Sequence, residues 1–134
     1  MIHPRTLLAT FGAATAALGA CTPGVEVSEG RADAVYEGVQ TILLDEGLVS
    51  FSVALRGATD EAAVEAYGRC AAAQYALDNG YGYARQVRTI VTKEGQIWYG
   101  DAVYLISARL PEGLRTIDAE VAVAECVELG IPTV

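Results

Sequence analysis

Histidine and lysine occur once each in this chain of 134 residues, and both scarcities narrow its chemistry. The single histidine, His3, falls in an N-terminal segment that reads as removed on export. The mature chain then has no imidazole, which excludes serine–histidine and cysteine–histidine nucleophile pairs and histidine metal sites. No Gly-rich phosphate loop, CxxC pair or EF-hand loop occurs either. Lys93 is the sole lysine, and nine basic residues face seventeen acidic ones for a formal charge of −8. Such a chain repels phosphate backbones, and without a Lys/Arg cluster it has no affinity for anionic lipid heads. Long apolar runs are missing as well. Leu7 to Leu18 covers 12 residues and is interrupted by Thr10, Gly12 and Thr15, whereas a spanning helix needs about 20.

What the N-terminus does hold is one basic residue, Arg5, then the short apolar run, then Leu18-Gly19-Ala20-Cys21. A charged start, an apolar stretch and small residues at a cut site make a secretory signal peptide. The small pair followed directly by cysteine resembles the lipobox of bacterial lipoproteins. That likeness implies that diacylglycerol is attached to Cys21 and that residues 1–20 are removed, leaving 114 residues and one domain's worth of core. Thr22, standing where Asp would retain an enteric lipoprotein at the inner membrane, favours the outer membrane. Ordinary secretion is the alternative: cleavage after Gly19 gives a free soluble domain.

Two cysteines remain, Cys70 and Cys126. Two separately buried thiols are one reading, since cysteine packs as a small hydrophobe. Export to an oxidising compartment favours the other, a disulfide.

Residues 21–34 carry Pro, two Gly, Ser and acids without apolar period, and read as an acylated cysteine followed by a flexible tether. Residues 35–134 then form a single α+β domain. Val39–Leu44 is a short apolar strand ended by the turn Asp45-Glu46-Gly47. In the next strand Val49, Phe51, Val53 and Leu55 alternate with Ser50, Ser52, Ala54 and Arg56. An Ala-rich helix runs from a cap at Thr59 or Asp60 to Asn79-Gly80, with Ala66, Cys70, Ala73 and Leu77 as its stripe. Tyr81–Thr92 and Ile97–Leu110 follow as a hairpin around Glu94-Gly95. That register pairs Thr92 with Ile97 and Arg88 with Asp101, and it puts Tyr83, Val87, Val91, Trp98, Ala102, Tyr104 and Ile106 on one face with Arg85 as an intruder. Thr116–Leu129 fits both periods and is taken as a helix because Gly130-Ile131-Pro132 stops it. The expected fold is α+β, with about four mostly antiparallel strands and two helices on one face, in the order β-β-α-β-β-α. The strand–helix–strand passage from Val49 to Val91 is expected as a right-handed crossover, parallel if the strands are neighbours.

Few residues compete for a chemical role. Cys70 has no base to activate it, Asp45-Glu46 reads as a solvated turn, and Glu120, Glu125 and Glu128 read as a wet helix face. No catalytic, cofactor-binding or metal-ligating residue is expected, and no cofactor. The aromatics of the second hairpin fit a core, but Tyr99 falls opposite Trp98 with Ile90 and Ile97 nearby. If no element covers them, these three make a partner surface.

The helix carrying Cys70-Ala71-Ala72-Ala73 and the following Asn79-Gly80-Tyr81-Gly82-Tyr83 resemble several uncharacterised small lipoprotein families of Gram-negative bacteria. Those families share a lipobox and a helix that ends in Gly-Tyr-x-Tyr or Gly-Tyr-x-Phe before a strand. The likeness spans about Phe51 to Ile90 plus the signal, and it implies an address without an activity. The expected role is therefore a non-enzymatic, lipid-anchored, periplasm-facing envelope protein that binds a protein partner or supports envelope assembly, and binds no nucleic acid. A periplasmic small-ligand binder, or an enzyme using carboxylates and tyrosines, is the alternative.

Overall fold

The computed structural model describes residues 34–133, together with Gly12. Cys21, the signal segment and the tether therefore lie outside the described residues, Gly12 and Ala34 apart. Five strands and two helices follow in the order β1 (Val35–Leu43), β2 (Leu48–Arg56), α1 (Glu61–Asp78), β3 (Tyr83–Glu94), β4 (Ile97–Ser107), β5 (Thr116–Asp118) and α2 (Ala119–Glu128). The fold is α+β with one antiparallel sheet ordered β1-β2-β4-β3-β5.

β2 behaves as its alternation demands: Val49, Phe51, Val53 and Leu55 are all at most 3% exposed. They face α1, whose buried side is wider than the stripe read from sequence. It comprises Ala63, Val64, Tyr67, Gly68, Cys70, Ala71, Ala72, Ala73 and Ala76, while Ala66 and Leu77 are only partly buried. Small side chains let the helix settle close to the sheet. A Cβ on Gly68 would stand 2.8 Å from the Ala102 Cβ. Asp60 is the N-cap, accepting from the Ala63 amide at 3.1 Å, and Gly80 leaves the helix with φ of +79°. Trp98 closes one end of the core, donating from Nε1 to the Ala58 carbonyl at 2.9 Å with Lys93 over its ring.

Four expectations change. The sheet has five strands: Thr116–Asp118 pairs with Tyr83–Arg85 before Asp118 caps α2, so Thr116–Leu129 is not one helix. The β3–β4 loop is Gly95-Gln96, which sets Thr92 against Tyr99 and Arg88 against Val103. Arg88 still reaches Asp101, diagonally at 3.5 Å. An irregularity between Gln86 and Arg88 inserts one extra residue in β3 and reverses its parity. Ala84 and Val91 thus face the helices, while Tyr83 and Arg85 turn to the opposite face and Val87 is 43% exposed. Finally, β2 and β3 run in the same direction but are separated by β4, so the crossover passes over an intervening strand.

Arg85 illustrates the cost of that reversal. It lies under the β4–β5 connection, where a Cβ on Gly113 would stand 3.3 Å from its Cδ. Its Nε is buried without a hydrogen-bond partner, as is Oγ1 of its cross-strand neighbour Thr116. A buried donor left unmet costs about 1–3 kcal/mol. Arg85→Met is therefore expected to leave the urea midpoint unchanged or raise it, despite the loss of a charge; a fall of more than about 1 kcal/mol would show that Arg85 is well partnered.

α2 is held by covalent chemistry. Cys70 and Cys126 form a disulfide with Cα atoms 6.0 Å apart, joining α1 to α2. The helix itself buries only Ala119, Ala122 and Cys126.

Candidate functional site

Both described helices pack on one side of the sheet, and among the described residues no helix lies over the other side. In β4 this outer face carries Ile97, Tyr99, Asp101, Val103 and Leu105; in β2, Ser50, Ser52, Ala54 and Arg56; in β3, Arg88, Ile90 and Thr92. The predicted trio falls here together. Tyr99 sits between Ala54 and Thr92, Ile97 is two residues before it on the same strand, and Ile90 is its diagonal neighbour across the ladder. Ile90 is 53% exposed and Tyr99 38%, while Ile97 is partly buried. Ile42, 44% exposed, extends the apolar surface across β1.

Polar side chains frame this row. Ser50 donates its hydroxyl to Asp101 Oδ1 at 2.6 Å, and Arg88 approaches the other carboxylate oxygen at 3.5 Å. Glu37 and Arg56 pair at 3.1 Å where β1 meets β2. Val103, flanked by Ser50 and Arg88, is 4% exposed, so the middle of the face is already a small packed layer. Exposed apolar side chains and an ion pair therefore share this face. A shallow depression of about 410 Å³ runs beside Tyr99 between β1 and β2, lined by Gln40, Ser52 and Ala54 among others.

Little else gathers reactive groups. Among the described residues no group of three or more His, Cys, Asp or Glu side chains could hold a metal ion. Burial pushes the Tyr104 phenol up to about 12, with Arg69 pulling the other way, so it stays neutral at physiological pH. Burial likewise raises Tyr67, partly offset by a hydrogen bond with the Gly38 backbone. Both tyrosines lie in the core and act as packing groups there. Cys70 and Cys126 are consumed by their bridge. No described helix is long and apolar enough to cross a membrane.

One part of the surface is absent from the sequence reading. The last four residues of β1, Gln40–Leu43, are exposed, and among the described residues no strand pairs with its outer edge. The uncharged run from Val39 to Leu44 does not reveal it, because such a run suits a strand at the centre of a sheet equally well.

The profile of a family described as the YNQ4 C-terminal domain matches residues 36–130. The chain belongs to that family. The matched span takes in nearly all of β1 and every later element, so the YNQ4 C-terminal domain and the folded unit coincide. Among curated proteins, the uncharacterized 26.9 kDa protein in the nqo8 5′ region of Paracoccus denitrificans is 33% identical over 87 residues. The match covers 65% of this chain and 34% of that protein, so the chain spans about a third of its relative's length. No solved structure matches.

Proposed function

We propose that this YNQ4 C-terminal domain is the partner-binding domain of a lipid-anchored protein of the bacterial cell envelope, facing the periplasm and acting without catalysis. The observation that carries the reading is the sheet face over which no described helix lies, where Ile90, Ile97 and Tyr99 are neighbours beside the Arg88–Asp101 pair. Lipid on Cys21 provides the anchor, with the outer membrane as its site. Two or three acyl chains give the stable attachment that a single chain would not. Binding to a protein, or support of envelope assembly, then follows from an interface-like surface on a tethered domain.

The test has two arms in one strain set. Metabolic labelling with a palmitate analogue is expected to mark the wild type and to miss Cys21→Ala, which stays as precursor or leaves in soluble form. Ile90→Glu combined with Tyr99→Glu is expected to keep the label and the fold while losing the crosslinked partner seen in native envelopes. An unlabelled wild type defeats the anchor, and a crosslinking pattern indifferent to the double variant defeats the binding face.

A further inference from the structure

We propose that the β1 edge takes up an extended peptide segment of a partner, aliphatic at alternate positions and flanked by basic residues, as a sixth strand of the sheet. The inference rests on the partner-binding reading above and names the kind of partner, but it uses a different surface from the Tyr99 face.

An edge strand offers a row of unpaired amides and carbonyls, and folded proteins usually blunt such rows with Lys, Pro, a very short strand or a cover. The other edge of this sheet follows that rule, since β5 has only three residues. β1 does not. It has nine residues, and from Val35 to Leu44 there is no Lys, Arg or Pro. Its irregularity lies near the start, between Tyr36 and Gly38, leaving Val39–Leu43 as a regular stretch paired residue for residue with Val49–Val53. Ile42 (44%), Leu43 (69%) and Leu44 (46%) are all exposed there, much apolar surface for a strand that, among the described residues, pairs on one side.

The ground beside this stretch is shaped to receive side chains. α1 packs over β2, β4 and β3, so a gap opens between β1 and the C-terminal half of the helix. It is a cavity of about 130 Å³ lined by Val39, Thr41, Ala71, Tyr75, Asp78 and Thr133. A second hollow of about 220 Å³ lies past the strand's end, between Leu43, Leu44, Tyr75 and Tyr81. Both are smaller than the ~300 Å³ at which small-molecule sites usually begin, but each accommodates one or two aliphatic side chains. A strand added to β1 would direct every second side chain to the helix side, where these hollows lie, while its backbone meets the free edge.

Charge selects the occupant. Asp45 and Glu46 stand at the turn beyond Leu44, Asp78 lines the gap, and Glu37, paired with Arg56, sits at the other end. A segment with Lys or Arg at its ends meets these carboxylates. A second copy does not: antiparallel β1–β1 pairing would lay the Asp45-Glu46 turn of each chain towards the Glu37 end of the other, between two chains each carrying a formal −8.

The probe is the capped synthetic peptide Lys-Val-Thr-Val-Thr-Val-Lys, titrated into the full chain in detergent. Amide hydrogen exchange is expected to slow along Val39–Leu43, with no change at Tyr99. The same peptide with Glu for both Lys is expected to bind at least about tenfold more weakly, as is the basic peptide to Leu43→Lys, a substitution at an exposed position that keeps the fold. Tyr99→Glu should leave peptide affinity unchanged. Failure of the basic peptide to protect β1 overturns the inference, and so does equal binding of the acidic peptide. Protection of β1 that rises with protein concentration in the absence of peptide overturns it in favour of a second copy. If β1 stays bare while crosslinks through the Tyr99 face persist, the edge inference fails and the partner-binding reading stands.

Discussion

Reduction of the Cys70–Cys126 bridge is expected to lower the stability of the domain by about 4 kcal/mol, the chain-entropy value for a loop closed over 56 residues. Domains of this size have about 5–15 kcal/mol in total, so the loss removes a large fraction of the margin. The structure gives reasons for the bridge to matter more than usual. α2 has ten residues, too few to be helical alone, and its buried side is two alanines and the cysteine. The Arg69–Glu125 pair at 3.0 Å, which also joins it to α1, is exposed and worth about 0–1 kcal/mol. Urea unfolding of oxidised and reduced protein measures the difference, and hydrogen exchange should show α2 opening before the sheet. Equal midpoints in the two states would mean that packing alone holds α2.

Gly100→Ala is expected to cost about 1–3 kcal/mol or more, although it adds a single methyl group. Gly100 sits in the middle of β4, under α1. The new Cβ would stand 2.6 Å from Val64 Cγ1 and 2.9 Å from Val53 Cγ2. Neither valine can yield: Val64 is fully buried and Val53 is 2% exposed. Accommodation therefore requires α1 to lift away from the sheet, which loosens the layer that also contains Ala102 and Gly68. Gly82→Ala is the control, because nothing lies within 4 Å of its Cβ position. Thermal unfolding of the two variants compares them directly, and equal melting temperatures would mean that α1 does not sit as close as described.

These glycines also mark where the sequence could and could not be read. β2 was legible because one strict alternation met one buried face. The disulfide was legible from an even pair of cysteines and the expectation of export. α1 was placed correctly, but its stripe was not: alanine is nearly as compatible with the surface as with the core, so a helix of small residues has little contrast to read. β3 failed through one residue. Its irregularity at Val87 shifts the period by one, so Tyr83 and Arg85 before it change face while the residues after it keep theirs. β5 failed because three residues carry too little pattern, and only pairing with Tyr83–Arg85 makes Thr116–Asp118 a strand. The row of Ile90, Ile97 and Tyr99 survived because Ile90 lies beyond the irregularity, where the parity set by the β3–β4 turn still holds. The β1 edge stayed hidden for a different reason. An uncharged apolar strand looks the same in sequence at an edge as at the centre of a sheet, and only strand order tells them apart.

The central claim is that the helix-free sheet face meets a partner in the envelope. A photo-crosslinking residue placed at Tyr99 in the full chain, in intact cells, tests it most directly, with the same residue at Val127 as the comparison. Val127 lies on α2 and is 72% exposed, so it samples the opposite side of the domain. The account predicts one recurrent adduct of fixed mass from position 99, lost with Ile90→Glu, and none of that mass from position 127. Identical adducts from both positions, or none from position 99 when the protein is correctly localised, would contradict it.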